Sequence, residues 1–295
     1  MAVYTTLSAA RLAALIAQYE VGELVSAKGI AEGVSNSNWL IETSGPDGSG
    51  GRYILTMYEA RVEVADLPFF LGLLDHLAAK GSPVPRTIHD RDGAAYRLVG
   101  GKAVALIEFL PGISVDEPTP AQARAVGEAL AGLHLDAADF AGRRPNALAG
   151  IHLDAADFAG KRSNSLALQQ WHDLLSGCGQ DGLRAIDPSL PALVEHELLY
   201  LTANWPQGLP RSVIHADLFP DNVLLLGDAV TGLIDFYFAC NEITAYDLAV
   251  THSAWCFARD GSFKPAIAEA LVAGYVARRL TFYASEGQAA FTAPA

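Results

Sequence analysis

Residues 213–238 read Val-Ile-His-Ala-Asp-Leu-Phe-Pro-Asp-Asn-Val-Leu-Leu-Leu-Gly-Asp-Ala-Val-Thr-Gly-Leu-Ile-Asp-Phe-Tyr-Phe. Two short apolar runs, at 223–226 and 232–234, flank a Gly-Asp dipeptide at 227–228, which predicts two strands joined by a tight turn. Polar residues at fixed offsets precede the first strand and end the second. The segment therefore predicts a hairpin with a carboxylate and a carboxamide at one end and a further carboxylate at the other.

These polar residues have the chemistry of a phosphoryl-transfer site. Magnesium prefers hard oxygen ligands and usually takes one or two carboxylates plus phosphate oxygens. Asp235 can supply a charged ligand and Asn222 a neutral oxygen, which leaves Asp217 free to accept a proton from a hydroxyl group. This is the division of roles in a kinase catalytic centre. A surface hairpin with incidental acids is the alternative, since Asp and Asn are common in turns.

The pattern His-x-Asp-x-x-x-x-Asn followed by Ile-Asp-Phe resembles the aminoglycoside phosphotransferase and choline kinase-like family of small-molecule kinases. The fuller wording of residues 213–223 and 232–241 is similar to that of the bacterial homoserine kinases of this family, as are residues 28–38, 53–59 and 66–73. The resemblance runs from the N-terminus to about Tyr275. It implies phosphorylation of the L-homoserine hydroxyl in threonine biosynthesis, with ATP and Mg²⁺ as cofactors.

The resemblance also implies the fold, which is α+β. We expect the protein-kinase-like two-lobed fold, with an antiparallel sheet in the N-terminal lobe and a mainly helical C-terminal lobe. The Pro111-Gly112 dipeptide marks the expected boundary, so residues 1–110 form a nucleotide-binding lobe and residues 111–295 a catalytic and substrate lobe. Apolar periodicity and capping residues predict helices over residues 8–19, 66–80, 119–140, 168–175 and 190–204.

The catalytic loop and the residues after it receive roles from the same resemblance. Asp217 is the expected catalytic base, and His215 belongs to the catalytic loop chiefly as its brace. Asn222 and Asp235 are the expected metal ligands. Asp247, at the start of a later helix, is expected to brace the loop. The acceptor is expected to contact a further set of residues in and after the loop, namely Asp221, Tyr237, Phe238 and Asn241.

Nucleotide contacts are expected in the first lobe. The turn at 33–38 carries small and amide residues whose backbone N–H groups could close over phosphates, although an ordinary Asn-rich hairpin has the same composition. Thr56 stands where protein kinases carry a phosphate-binding Lys. The backbone around Glu108 and Leu110 is expected to bind adenine. The full expected set is Gly33, Ser35, Asn36, Asn38, Thr56, Glu108 and Leu110; the nearby bases Lys28, Arg52 and Arg61 are either phosphate ligands or solvated charges.

An internal repeat interrupts the resemblance. Residues 133–148 recur with few changes as residues 151–166, an offset of 18 residues that equals five helical turns. Two copies do not make a solenoid, so the repeat at about 133–166 predicts a local insertion. Only one of Asn146 and Asn164 can take the place that the family pattern has once. The tail after Tyr275 departs from the family as well.

Composition excludes several classes of function. The chain has 295 residues, 51% of them hydrophobic, which is ample for a large core. Its net charge of −13 makes nucleic acid and anionic membranes poor partners, whereas the family resemblance implies a small-molecule substrate. Cys178, Cys240 and Cys256 show no close pairing and no metal-ligand spacing. With no long apolar stretch and no signal-peptide pattern, these features favour a reducing cytoplasm.

Two rival functions are compatible with the same residues. The first is a kinase for another small alcohol, such as an amino alcohol, a sugar or an aminoglycoside. The second is an inactive, nucleotide-binding kinase-like protein, which the insertion and the unusual tail make plausible. The intact set of Asp217, Asn222 and Asp235 argues against the second rival.

Overall fold

The computed structural model describes residues 7–30, 36–45, 50–59, 62–140, 164 and 167–292. Within these ranges the helices are α1 (Ala9–Ile16), α2 (Leu67–Ala79), α3 (Pro120–Asp136), α4 (Leu168–Ile186), α5 (Leu190–Asn204), α6 (Thr244–Trp255) and α7 (Pro265–Thr292). No helix in this part of the chain is long and apolar enough to cross a bilayer.

The first half of the chain builds an antiparallel sheet of six strands. These are β1 (Glu23–Ile30), β2 (Asn36–Ser44), β3 (Arg52–Tyr58), β4 (Thr87–Ile88), β5 (Arg97–Val99) and β6 (Lys102–Glu108). The strands are ordered β1-β2-β3-β6-β4, and β5 pairs with the other end of β6. The second half is mainly helical, so the predicted α+β fold class is confirmed.

Side-chain alternation along the sheet creates two cores. Successive side chains of a strand point to opposite faces. Val104 and Leu106 of β6 therefore pack with α1, whereas Ala103 and Ala105 pack with α2. The α2 core continues without interruption into the helical half, where it takes in residues of α3, α6 and α7. One continuous core thus joins the sheet to the region that carries the catalytic loop.

Helices α3 and α7 approach each other backbone to backbone. A Cβ atom built on Gly127 of α3 would lie 2.0 Å from the carbonyl oxygen of Leu271, and one built on Gly274 of α7 would lie 2.1 Å from the carbonyl oxygen of Arg124. Both distances are shorter than any van der Waals contact. Only glycine therefore permits this helix pair.

The predicted helices are found, with some changes of length. Ser8 caps α1, and Thr119 and Gln122 form a reciprocal capping box at the start of α3. The helix predicted to end at residue 175 continues to Ile186 and bends at Gly179, whose φ is +67°. The repeat lies mostly in residues 141–163, outside the described residues, and so does Asn146.

The turn predicted over residues 33–38 is shorter than expected. Strand β2 begins at Asn36, which pairs with Tyr58, and Asn38 pairs with Thr56. Both asparagines are therefore strand residues, because the cross-strand pairing with β3 extends further than local composition indicates. Gly33 and Ser35 lie outside the described residues.

The three cysteines are free thiols, as the sequence predicts. Cys178 on α4 is exposed, whereas Cys240 and Cys256 are buried. Burial raises the pKa of the Cys256 thiol to about 11.

Candidate active site

Two short ribbons carry the predicted catalytic residues. Strand β7 (Arg211–Ile214) pairs with β10 (Cys240–Ile243), and β8 (Val223–Leu226) pairs with β9 (Ala229–Leu233). Asp217 and Asn222 lie in the loop from β7 to β8, and Asp235 follows β9. The predicted hairpin is confirmed, but the expected placement of the carboxylates at its two opposite ends is wrong. Because β8 and β9 are antiparallel, the residues before β8 and after β9 lie at the same end.

His215 is fully buried and is bonded to the loop backbone through both ring nitrogens. Its Nε2–H donates to the carbonyl oxygen of Ile234 at 2.9 Å, and its Nδ1 accepts from the N–H of Asp217 at 3.2 Å. Burial lowers the pKa of the imidazole, in keeping with a neutral ring that donates through one nitrogen and accepts through the other. His215 therefore ties the loop to the strand end that bears Asp235, and it positions the site rather than contacting a substrate.

Asp247, at the start of α6, is the anchor beneath this loop. Its buried carboxylate accepts the N–H groups of His215 and Ala216, both at 2.8 Å, and the Nε2–H of His134 at 2.9 Å. Burial opposes ionisation, but the hydrogen bonds that the carboxylate accepts from the His134 side chain and from the backbone N–H of His215 lower the pKa of Asp247. The carboxylate also holds Ala216 at a φ of +64°, a left-handed conformation that a non-glycine residue rarely adopts.

Asp217 and Asn222 are joined directly. The amide Nδ2 of Asn222 donates to the backbone oxygen of Asp217 at 2.8 Å and to its Oδ2 at 3.2 Å. Burial, followed by the negative charges of Asp235 and Asp221, raises the pKa of Asp217 to about 6. The second oxygen of Asp217 accepts no hydrogen bond from any residue that the structure describes. Asp217 is therefore a carboxylate of increased basicity with an available oxygen.

Asp235 is the second strained residue of the site, with a φ of +66°. The nearby backbone N–H of Tyr237 favours ionisation of its carboxyl group and so acts to lower its pKa. Although the side chain keeps contact with solvent, loss of part of its hydration and the charge of Asp221 raise its pKa to about 6. Three carboxyl groups thus lie close enough to oppose one another's ionisation, an arrangement that favours a cation.

The donor set fits a metal ion that also binds phosphate. Among the described residues, no group of three or more His, Cys, Asp and Glu side chains could hold a metal by itself. Asn222 uses its amide nitrogen on Asp217, and its Oδ1 receives no hydrogen bond within the described ranges. One carboxylate and one amide oxygen are the partial coordination that Mg²⁺ takes when nucleotide phosphates complete the shell.

An apolar platform lies on the sheet face opposite α1. Leu40, Ile54 and Ile107 are paired directly across β2, β3 and β6, and all three are half-buried and outside both cores. Asn38 and Thr56 are paired in the next row of the same face. A flat aliphatic surface beside polar groups fits a nucleotide base and its sugar.

The connection after β6 is fixed to the catalytic hairpin. Ile113 exchanges backbone hydrogen bonds of 3.0 and 2.9 Å with Leu225 of β8. The Glu108 carboxylate accepts the backbone N–H of Arg86 at 3.3 Å, and the N–H of Leu110 has no acceptor among the described residues. The N–H of Leu110 can therefore donate to a ligand, as the expected adenine contact requires.

Three of the residues expected to contact a ligand have side chains that are buried or packed against other residues. Asn36 is 5% and Thr56 is 2% exposed, so neither side chain is open to a ligand. Tyr237 packs its ring against Tyr58 and Phe70 instead of facing an open pocket. Phe238 and Asp221 are exposed and accessible to an acceptor, and Asn241 is half-buried on β10.

Tyr58, whose ring contacts that of Tyr237, is a neighbour of the site that sequence reasoning missed. Its alternation within β3 indicates only that it is buried, and its partner Tyr237 is 179 positions away along the chain. No local pattern could pair them.

Comparisons with known proteins identify the family of the chain. The model of the phosphotransferase enzyme family matches residues 26–281. The chain is 46% identical to a homoserine kinase of Mesorhizobium japonicum over 275 residues, which are 93% of this chain and 78% of the relative. It is 46% identical to a homoserine kinase of Azorhizobium caulinodans over 279 residues, 95% of this chain and 79% of that protein.

A solved structure shares the fold at low sequence identity. An amicoumacin kinase in complex with AMP-PNP, Ca²⁺ and its antibiotic superposes with a TM-score of 0.64 and 13% identity. The match covers 92% of this chain and 78% of the other. At this identity the likeness concerns the fold alone.

Proposed function

Because the chain belongs to the phosphotransferase enzyme family, we propose that it transfers the γ-phosphoryl group of ATP to the side-chain hydroxyl of L-homoserine. L-homoserine is proposed as the acceptor because the chain is 46% identical, over more than nine-tenths of its length, to two relatives named homoserine kinase. The geometry around Asp217 supports the type of reaction. The product is O-phospho-L-homoserine.

Asp217 orients the acceptor and takes its proton. Its available carboxylate oxygen accepts a hydrogen bond from the homoserine hydroxyl, and the proton passes to it as the oxygen attacks phosphorus. The raised pKa, about 6, increases the basicity of the carboxylate while leaving it mostly ionised at neutral pH. Asn222 fixes the rotamer of Asp217, so that catalysis consists largely of positioning.

Asn222 and Asp235 would hold Mg²⁺ against the phosphates. When bound, the cation neutralises charge on the transferring group and on the bridging oxygen. Asp235 provides the charged ligand; it lies two residues after the end of β9, in the left-handed backbone conformation. Asp221, exposed beside them, is a suitable partner for the α-ammonium group of homoserine.

The nucleotide would lie between the sheet and the catalytic hairpin. The platform of Leu40, Ile54 and Ile107 covers one face of the adenine, and the N–H of Leu110 donates to its edge. A reaction that consumes ATP and a chain with three free thiols both fit the cytoplasm.

A coupled ADP-release assay tests the proposal. Purified protein with Mg²⁺ and ATP is offered L-homoserine, L-serine, choline, a pentose and an aminoglycoside, with Asp217→Asn as the matched inactive control. We expect ADP release with homoserine only, and O-phosphohomoserine as the product by mass spectrometry. ADP release with another alcohol of this panel instead would exclude L-homoserine as the acceptor but would still support phosphoryl transfer. No release with any alcohol, in protein that binds Mg²⁺ and ADP, would overturn the proposed reaction.

A further inference from the structure

One side chain of α7 reaches the anchor beneath the catalytic loop. The hydroxyl oxygen of Tyr275 lies 2.9 Å from Nδ1 of His134, and the Nε2–H of His134 donates to the carboxylate of Asp247 at 2.9 Å. His134 is 1%, Asp247 0% and Tyr275 6% exposed. Side chains from α7, α3 and α6 thus form one buried chain of hydrogen bonds, which ends on the carboxylate that the loop backbone also contacts.

The hydrogen bonds of this chain run towards Asp247. Because the hydrogen on Nε2 of His134 is donated to Asp247, the neutral ring presents Nδ1 as an acceptor, and the hydroxyl of Tyr275 supplies the hydrogen. Burial raises the pKa of Tyr275, which keeps its hydroxyl protonated. Nη1 of Arg279 donates to the same hydroxyl oxygen at 3.4 Å, which leaves the hydroxyl hydrogen for His134. The imidazole ring is therefore held at both nitrogens.

The close crossing of α3 and α7 brings Tyr275 within reach of His134. Gly274, directly before Tyr275, approaches α3 so closely that a Cβ atom would lie 2.1 Å from the carbonyl oxygen of Arg124. The rings of Tyr275 and His134 then meet edge to face, with 5.7 Å between centroids. The backbone of His134 is fixed as well, because its carbonyl oxygen accepts the hydroxyl of Ser212 on β7 at 2.8 Å. His134 therefore has little freedom to turn away from the carboxylate that it contacts.

Asp247 transmits this constraint to the catalytic loop. Its carboxylate accepts the backbone N–H groups of His215 and Ala216, both at 2.8 Å. Ala216 keeps a φ of +64° directly before Asp217, and a non-glycine residue adopts this conformation only when its surroundings enforce it. A carboxylate that rotates more freely would release the backbone that presents Asp217.

We propose that Tyr275 is a positioning residue for phosphoryl transfer. Its hydroxyl fixes the ring of His134, the ring fixes the carboxylate of Asp247, and the carboxylate fixes the backbone before Asp217. The inference rests on the proposed function, since it takes Asp217 as the base of the reaction. Loss of the hydroxyl would leave Nδ1 of His134 buried without its donor, and the loop would lose part of its support.

Steady-state kinetics of a conservative variant give the first test. Tyr275→Phe removes the hydroxyl and keeps the ring. We expect kcat to fall about five- to tenfold, the effect of one buried hydrogen bond, with the KM values of ATP and homoserine changed less than twofold. This split is expected because the loop orients the base and the ligands keep their own contacts.

The same substitution at Tyr283 is the matched control. Tyr283 lies on the same helix, is 53% exposed, and has its hydroxyl bonded to Nη2 of Arg279 at 2.8 Å. Tyr283→Phe should leave kcat unchanged. An unchanged kcat in Tyr275→Phe, or an equal loss in both variants, overturns the inference.

Hydrogen–deuterium exchange separates positioning from a general loss of stability. Without substrates, the amides of His215 and Ala216 should exchange about five- to tenfold faster in Tyr275→Phe, whereas those of β2 and β3 keep their wild-type rates. Faster exchange throughout the protein, or in α3 and α7 without the loop, would make Tyr275 a structural residue only and overturn the inference.

A double-mutant cycle tests the route through His134. In His134→Gln an amide nitrogen can still donate to Asp247, but the acceptor Nδ1 is gone. Tyr275→Phe should then lower kcat less than twofold further, because the chain is already interrupted. A full additional loss would show that Tyr275 acts by another route, against the proposal.

Failure of the proposed function gives a different result. The wild-type protein then releases no ADP with any alcohol, and exchange of the loop amides alone decides whether Tyr275 holds the loop. Melting temperatures of all variants establish that each is folded before its kinetics are interpreted.

Discussion

The surroundings of Asp217 and Asp235 oppose ionisation of their carboxyl groups. Asp221 contributes to the raised pKa of both residues, and Asp235 contributes to that of Asp217. The folded protein therefore stores electrostatic repulsion at the place where a cation and a proton acceptor are required. This arrangement has consequences for activity and for stability, and the two can be measured separately.

The pH dependence of the reaction should report Asp217. We expect kcat/KM for homoserine, measured at subsaturating ATP so that it reports the free enzyme, to fall about tenfold per pH unit below pH 6, because the base is then protonated, and to level off above it. The corresponding fall in kcat should occur at lower pH, since the positive metal of the bound complex favours the ionised carboxyl group of Asp217. Asp217→Asn should reduce kcat by about 10²- to 10⁴-fold. A variant with near wild-type kcat would contradict its role as the base.

The ionised carboxylate of Asp235 is expected to support activity but to lower the stability of the folded protein. An Asp carboxyl has a pKa of about 3.9 in an unfolded chain. The fold raises that of Asp235 to about 6, so ionising this group destabilises the folded state above pH 6. Asp235→Asn should therefore raise the Tm in EDTA at pH 7.5 by about 2 °C or more, and the gain should vanish below about pH 4, where both states are protonated.

The exposed turn residue Asp228 provides the control for this prediction. Asp228→Asn should leave the Tm unchanged at both pH values. A lower Tm for Asp235→Asn at pH 7.5 would contradict the repulsion expected at this carboxylate.

The elements near the catalytic loop could be predicted because their signals are local. The β8–β9 hairpin follows from two apolar runs and a Gly-Asp turn, and α5 was placed at its observed bounds, 190–204. The position of Asn36 could not be predicted, because β2 is extended by its pairing with Tyr58 of a later strand. The same reason explains why the ring contact of Tyr58 with Tyr237 could not be predicted. The two residues are distant in sequence and meet only in the folded protein.

The α3–α7 crossing gives a prediction at the scale of two helices. Gly127→Ala places a methyl group 2.0 Å from the carbonyl oxygen of Leu271, so the helices must separate. We expect a loss of about 3 kcal/mol in the free energy of unfolding, measured in urea. Gly182→Ala in α4 is the control, because its Cβ would meet nothing within 4 Å and should stabilise the helix by about 0.5–1 kcal/mol. Equal stability of the two variants would contradict the close approach.

The whole molecule should unfold as one unit. The core that begins on α2 continues through α3 to α7. The sheet therefore cannot separate from α2 without disrupting the helical half. We expect coincident thermal transitions by circular dichroism and tryptophan fluorescence, with equal calorimetric and van't Hoff enthalpies. Two separate transitions would instead support independent folding of residues 1–110. The boundary at residue 110 stays a prediction.

The distribution of thiols provides a chemical measure of local opening. In the native protein a thiol-reactive reagent should modify one sulfur atom, Cys178, at the rate of a free thiol. Cys240 on β10 and Cys256 after α6 should react only when those elements open, and both elements support the catalytic loop. The slow phases would therefore report the opening kinetics of the catalytic centre without an added probe. Slowing of these phases by Mg²⁺ and ADP would show how strongly ligands close the native enzyme.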